Sequence, residues 1–119
     1  MKNIITNREN DILVIEFYSD SILDPVQIES IGGELYTIAD RSAFSRIIVD
    51  LKNVEFMSSA LIGVFIRFNM RVRKNESELK LCNASEDLIT VLKVTKLDNV
   101  FDIHTTRHAA IESFQAATG

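Results

Sequence analysis

A single cysteine, Cys82, a single proline, Pro25, and four glycines, Gly32, Gly33, Gly63 and Gly119, are all that the 119 residues hold of these types. Each scarcity removes a class of chemistry. One thiol forms no intramolecular disulfide and offers no paired spacing for a metal, which predicts a reducing, cytoplasmic setting. Glycines at those four positions write neither a dinucleotide fingerprint nor a phosphate-binding loop. No apolar run approaches the roughly 18 residues of a membrane span, and Met1 to Thr6 lacks the core of a signal peptide, so a soluble protein is expected. The formal net charge is -4 with no dense basic block, which disfavours nucleic acid as a partner. No repeat or low-complexity stretch interrupts the chain, and its length suits one domain over residues 1–119 with a core of its own.

What is present alternates in period. Ile4-Ile5 opens a short strand, Asn7 to Asp11 is a polar turn, and Ile12 to Tyr18 alternates as the second strand of a hairpin. Ser19-Asp20-Ser21 breaks it. Asp24 caps a helix with Pro25 at its first position, and Ile28, Ile31, Leu35 and Ile38 give one apolar face to about Asp40. Gly32-Gly33 in its middle costs roughly 1 kcal/mol per glycine, so the helix is either closely packed or soft there. Ile47 to Leu51 is a β-branched run suited to a strand covered on both faces. A loop from Lys52 to Met57 leads into a second helix, and Asn75 and Ser77 mark the turn to a strand at Leu79 to Cys82. Asn83 or Ser85 caps a third helix carrying Leu88, Val91 and Leu92. Val100 to Ile103 reads as a last strand, and Thr105 or Thr106 starts a terminal helix with Ala109, Ala110, Ile111 and Phe114. Strands alternating with helices predict an α/β fold: a mixed, mostly parallel sheet with one antiparallel hairpin edge. Four helices are expected mainly on one face, leaving the other largely open.

The second helix begins at Phe56-Met57-Ser58-Ser59-Ala60-Leu61-Ile62-Gly63-Val64. At roughly 100 degrees per residue, Leu61, Phe65, Phe68 and Val72 form a core stripe. Ile62, Gly63, Ile66 and Met70 fall on a second flank, and Arg67, Arg71 and Lys74 on the polar side. Ser59 extends the second flank, whereas Ser58 points nearer the core. Two readings stand: the flank packs on a neighbouring helix, or it is a docking strip for a partner that begins at a hydroxyl. Serine is equally a favoured N-cap.

Enzyme chemistry finds little support. His104 and His108, four apart, have the spacing of some zinc sites but no third ligand, and read as a surface pair. Asp50, ending a central strand, invites comparison with a phosphoacceptor receiver, yet the acidic pair near strand one that would hold magnesium is missing. Cys82 reads as a small buried apolar residue. No nucleophile, base and orienter can be named as a set. No catalytic residue, metal or cofactor is expected.

Two stretches carry a family resemblance over nearly the whole chain. Met57-Ser58-Ser59-Ala60-Leu61-Ile62-Gly63-Val64 resembles the aspartate-serine-serine/threonine-glycine-leucine segment of the STAS domain family. Val91-Leu92-Lys93-Val94-Thr95-Lys96-Leu97-Asp98-Asn99-Val100-Phe101 resembles that family's helix-turn-strand segment. Its members include bacterial anti-sigma factor antagonists and relatives in sulfate transporters and stressosomes. The resemblance implies an STAS-like sheet and a partner-switching regulator of transcription. The implied partner is a serine kinase of the histidine-kinase-like ATPase fold that binds a sigma factor when free. A gap-free alignment through Gly63 puts the family's phosphoacceptor on Ser59, with Ser58 the alternative; Ser58 replaces the family's aspartate and Leu61 its glycine. Ser58, Ser59, Ile62, Gly63, Ile66 and Met70 are the implied partner surface, on a monomer or weak dimer. A stressosome-like scaffold subunit acting by assembly is the other function the resemblance implies.

Overall fold

A computed structural model describes residues 3–18, 24–41 and 44–118; the break at Ser19-Asp20-Ser21 lies outside the described residues. The chain runs β1 (Ile4–Glu9), β2 (Ile12–Phe17), α1 (Pro25–Arg41), β3 (Arg46–Asp50), α2 (Ser59–Lys74), β4 (Glu78–Cys82), α3 (Glu86–Val94), β5 (Asp102–His104) and α4 (Arg107–Thr118). The sheet order is β1-β2-β3-β4-β5. β1 lies antiparallel to β2, and every later pair is parallel. This is the expected mixed sheet with its one antiparallel edge.

Side-chain alternation divides the sheet into two faces. Ile15 and Phe17 of β2, Ile47 and Val49 of β3, and Leu79 and Leu81 of β4 are buried in one cluster with Ile28, Ile31, Leu35 and Ile38 of α1, the α2 stripe, and Leu88 and Leu92 of α3. Phe17 meets Phe65 of α2 edge-on, ring centres 6.1 Å apart, a geometry that adds about 1 kcal/mol to the area buried. The second face is not open. Ile12, Val14, Ile48 and Cys82 are fully buried there under Ala110 and Phe114 of α4. Three helices therefore take one face and α4 the other.

Local chemistry explains where the element ends depart from expectation. β1 extends to Glu9, and Asn10-Asp11 is a two-residue hairpin turn with Asn10 at φ 57°, a conformation asparagine tolerates. Asn7, Arg8 and Glu9, expected in the turn, belong to this strand, whose polar character reflects an edge that needs no apolar cover on both faces. At the last strand the shift is two residues. Lys96 turns left-handed at φ 62°, Leu97–Asn99 form a single 3-10 turn, and Phe101 drops into the core, so pairing starts at Asp102. Of the two candidate caps for α3, Ser85 accepts from Leu88 N at 3.2 Å; Asn83 sits at φ 57° and its amide turns to Asp50. Thr106 caps α4 through Ala109 N at 3.0 Å.

The two glycines of α1 separate. A β-carbon on Gly32 would lie 3.4 Å from Val64 Cγ2 and 3.5 Å from Tyr36, so α1 and α2 approach closely there. Gly33 is exposed with nothing within 4 Å of its missing β-carbon.

Candidate functional site

The loop from β3 to α2 is tied down before it reaches the serines. Leu51 N donates to Cys82 O at 2.9 Å, Val54 N to Leu51 O at 2.9 Å, and Asn53 Nδ2 to Phe17 O at 2.9 Å. Val54 and Met57 are buried, which pins the loop at two points and leaves Phe56 between them 52% exposed. Ser58 then takes an extended conformation, φ -70° and ψ 165°, and its Oγ accepts from Leu61 N at 3.2 Å. Ser58 is thus the N-cap. Ser59 is the first helical residue and is exposed. Neither carboxylate nor cation occupies the first turn, whereas Arg71, Arg73 and Lys74 occupy the last, where they suit the negative end of the helix.

The flank drawn from the sequence is brought together only in part. Leu61, Phe65, Phe68 and Val72 are buried as the core stripe requires. Ile62 and Ile66 are half-buried and packed against the core, so part of their surface is already used. Met70 is 65% exposed. Ser59 and Gly63 instead line a shallow groove of about 320 Å³ between the start of α1 and α2, with Pro25, Ile28, Glu29 and Arg67. Pro25, Glu29 and Arg67 were not singled out as site residues, although Ser59, Gly63 and Arg67 follow at steps of four, the spacing of one helical stripe. Arg67 lies over Gly63 and donates from Nε to Tyr36 OH at 2.9 Å.

A charged cluster at the other face of the sheet was also missed. Asp50 is 1% exposed; its carboxylate accepts from Lys52 N, Asn83 Nδ2 and the guanidinium of Arg107, which reaches Oδ2 at 3.0 Å. Arg107 also pairs with Glu9 at 3.2 Å and with Glu16. β1 and β2 therefore do bring acids to Asp50, contrary to the reading that they were missing, but an arginine fills the space between them. Among the described residues no group of three or more histidine, cysteine or carboxylate side chains is arranged to hold a metal. Asp50 anchors α4 to the sheet.

The remaining candidates resolve similarly. Burial and then the nearby Asp50 charge push the Cys82 thiol up to about 12, which makes it a poor nucleophile. His104 and His108 do not share a helical face: His104 belongs to β5, while His108 is exposed on α4 with Nε2 2.8 Å from Glu112. Lys80, buried beneath α4, pairs with Asp102 at 2.8 Å and with Ser113 Oγ at 2.7 Å, its ammonium 4.6 Å from the Phe114 ring centre. Partial burial pushes the Asp102 carboxyl up, but the hydrogen bond and charge of Lys80, with His104, outweigh it and hold the group below the usual carboxylate range.

A family model described as "STAS domain" matches residues 3–110. The chain is 32% identical over 113 residues to the anti-sigma-B factor antagonist of Bacillus subtilis, covering 91% of this chain and 94% of that one. It is 24% identical over 96 residues to the putative anti-sigma factor antagonist BtrV of Bordetella bronchiseptica, covering 81% and 82%. Among solved structures, an anti-sigma-factor antagonist (STAS) domain protein from Planctomyces limnophilus is similar with a TM-score of 0.81 and 26% identity over 98% of each chain.

Proposed function

Because the chain belongs to the STAS domain family, we propose that it is an anti-sigma factor antagonist: it binds an anti-sigma factor, thereby releasing a sigma factor, and phosphorylation of Ser59 turns it off. The partner is a serine kinase of the histidine-kinase-like ATPase fold, and both act in the cytoplasm. The chain itself is a binding module, not an enzyme, and needs no cofactor. In the modification step the γ-phosphoryl group of the kinase's ATP bonds to Ser59 Oγ, ADP leaves, and the hydroxyl proton passes to the kinase's base.

One observation carries the choice of serine. Ser58 spends its hydroxyl on the Leu61 amide, while Ser59 is exposed at the first helical position. A phosphoryl group there adds about -1.5 to -2 charges beside the free N–H groups of a helix start, so the fold tolerates it. A partner docking over Ser59, Gly63, Ile62, Ile66 and Met70 must instead desolvate that charge, at a cost of several kcal/mol. Since each 1.4 kcal/mol is tenfold in affinity, binding falls by orders of magnitude.

The test uses the cognate kinase. Ser59→Ala is expected to bind it and resist labelling, Ser59→Asp to bind at least tenfold more weakly with an unchanged melting temperature, and Ser58→Ala still to be labelled. Labelling of Ser59→Ala with loss of labelling in Ser58→Ala refutes the assignment.

A further inference from the structure

Arg67 occupies an unusual position for a surface arginine. Its Nη1 lies 3.3 Å and its Nη2 3.7 Å from where a β-carbon on Gly63 would stand, so a side chain at position 63 would press against the guanidinium. The side chain is thus folded back along the helix over Gly63, one turn of about 6 Å from Ser59. Ser59, Gly63 and Arg67 line one groove. Among the described residues the polar contact of Arg67 is a neutral one, Nε to Tyr36 OH, and no carboxylate forms an ion pair with it. Arg71, one turn on, differs: it is paired with Asp40 at 2.7 Å and stacked 4.6 Å from the Tyr36 ring centre. Arg67 is therefore a cation with donors to spare, lying over a glycine on the same stripe as the proposed phosphoacceptor.

We propose that Arg67 is the internal receptor for the phosphoryl group on Ser59. This rests on the reading of Ser59 as the modified residue and deepens it. When Ser59 is phosphorylated, the Arg67 guanidinium moves from Tyr36 OH across Gly63 and forms charge-assisted hydrogen bonds to the phosphate oxygens, a geometry that its planar fork of donors suits. The phosphorylated groove is then bridged from Ser59 to Arg67 over Gly63. Glu29 of α1 is the carboxylate that lines the same groove among the described residues and opposes the phosphate, so Arg67 also screens the two anions from each other. Phosphorylation on this account changes the shape of the groove as well as its charge.

The experiment installs phosphoserine at position 59 by genetic encoding, in the full chain with Arg67 intact and in Arg67→Gln, and follows the second phosphate ionisation by phosphorus-31 NMR. An adjacent guanidinium favours the dianion, so the expected result is a second pKa lower by about half a unit or more with Arg67 than with glutamine, the gap closing in roughly 1 M salt. The Arg67 Nε–H signal is expected to shift on phosphorylation, while that of Arg71 stays. Coincident pKa values, or an Arg67 signal that does not move, overturn the proposal. Arg67 is exposed, so the glutamine variant is expected to fold. Since the phosphoserine is encoded, these outcomes judge Arg67 alone; a cognate kinase that leaves Ser59 unlabelled refutes the proposed function instead.

Discussion

The division of labour between the two serines can be tested by heat as well as by a kinase. Ser58 Oγ accepts the Leu61 amide at 3.2 Å, while the Ser58 carbonyl accepts from Ile62 N at 2.9 Å, so Ser58→Ala removes one side-chain acceptor and leaves the backbone turn intact. Ser58 is half-buried, which hinders water from replacing that acceptor. The loss expected for such a cap is about 1 kcal/mol, within a range of roughly 0.5 to 2. For a domain of 119 residues this lowers the melting temperature by about 3 to 6 °C. Ser58→Asp keeps an acceptor and places a negative charge at the positive end of α2, so it is expected to hold or raise stability. Ser59→Ala removes no cap and substitutes a better helix former, so its midpoint is expected to stay level or rise slightly. Thermal unfolding by circular dichroism on the three variants separates these outcomes. If Ser59→Ala falls as far as Ser58→Ala, or if Ser58→Ala does not fall, the hydrogen bond has been misread and with it the argument that frees Ser59.

Other perturbations probe the frame around the site. Arg107→Met strands the buried Asp50 carboxylate with only Asn83 and the Lys52 amide, and is expected to cost roughly 3 kcal/mol or more in urea unfolding; a loss under about 1 kcal/mol would contradict a buried pairing. Gly33→Ala meets no neighbour and is expected to stabilise α1 by about 0.5 to 1 kcal/mol in the same assay, whereas a loss would show an unseen constraint on that backbone. Against partial burial, the Lys80 hydrogen bond and charge hold the Asp102 carboxyl below the usual carboxylate range, so the unfolded chain binds the proton more readily. Its contribution to stability is complete above the ordinary carboxylate range and is lost as the pH falls through the lowered one. Asp102→Asn is therefore expected to flatten the acid side of the curve of denaturant midpoint against pH, and a curve parallel to the parent's would remove Asp102 from the account.

Legibility in the sequence followed the range of the interaction. Proline at the first turn of α1, the β-branched run of β3 and the four-residue rhythm of Leu61, Phe65, Phe68 and Val72 each act within a few residues, and each appears where it was read. The cap at Ser58 is of the same kind, since a side chain reaching three residues ahead is encoded by its immediate neighbours. Short apolar runs were harder. Val100-Phe101 suits a strand as well as a turn, and the left-handed Lys96 that decides between them leaves no mark in the periodicity.

The sequence by itself determined the order of strands and helices, the faces that must be buried and the helix start that carries the serines, because backbone geometry and hydrophobic period are local properties. Tertiary structure alone decided that α4 crosses to the second face of the sheet, that Arg107 meets Asp50 from 57 residues away, and that Gly32 is packed while Gly33 is bare. It also turned Ser59 toward a groove shared with α1 instead of a continuous apolar strip. Those choices depend on which elements the parallel crossovers bring side by side, and the period of one helix specifies its buried face without specifying its neighbour.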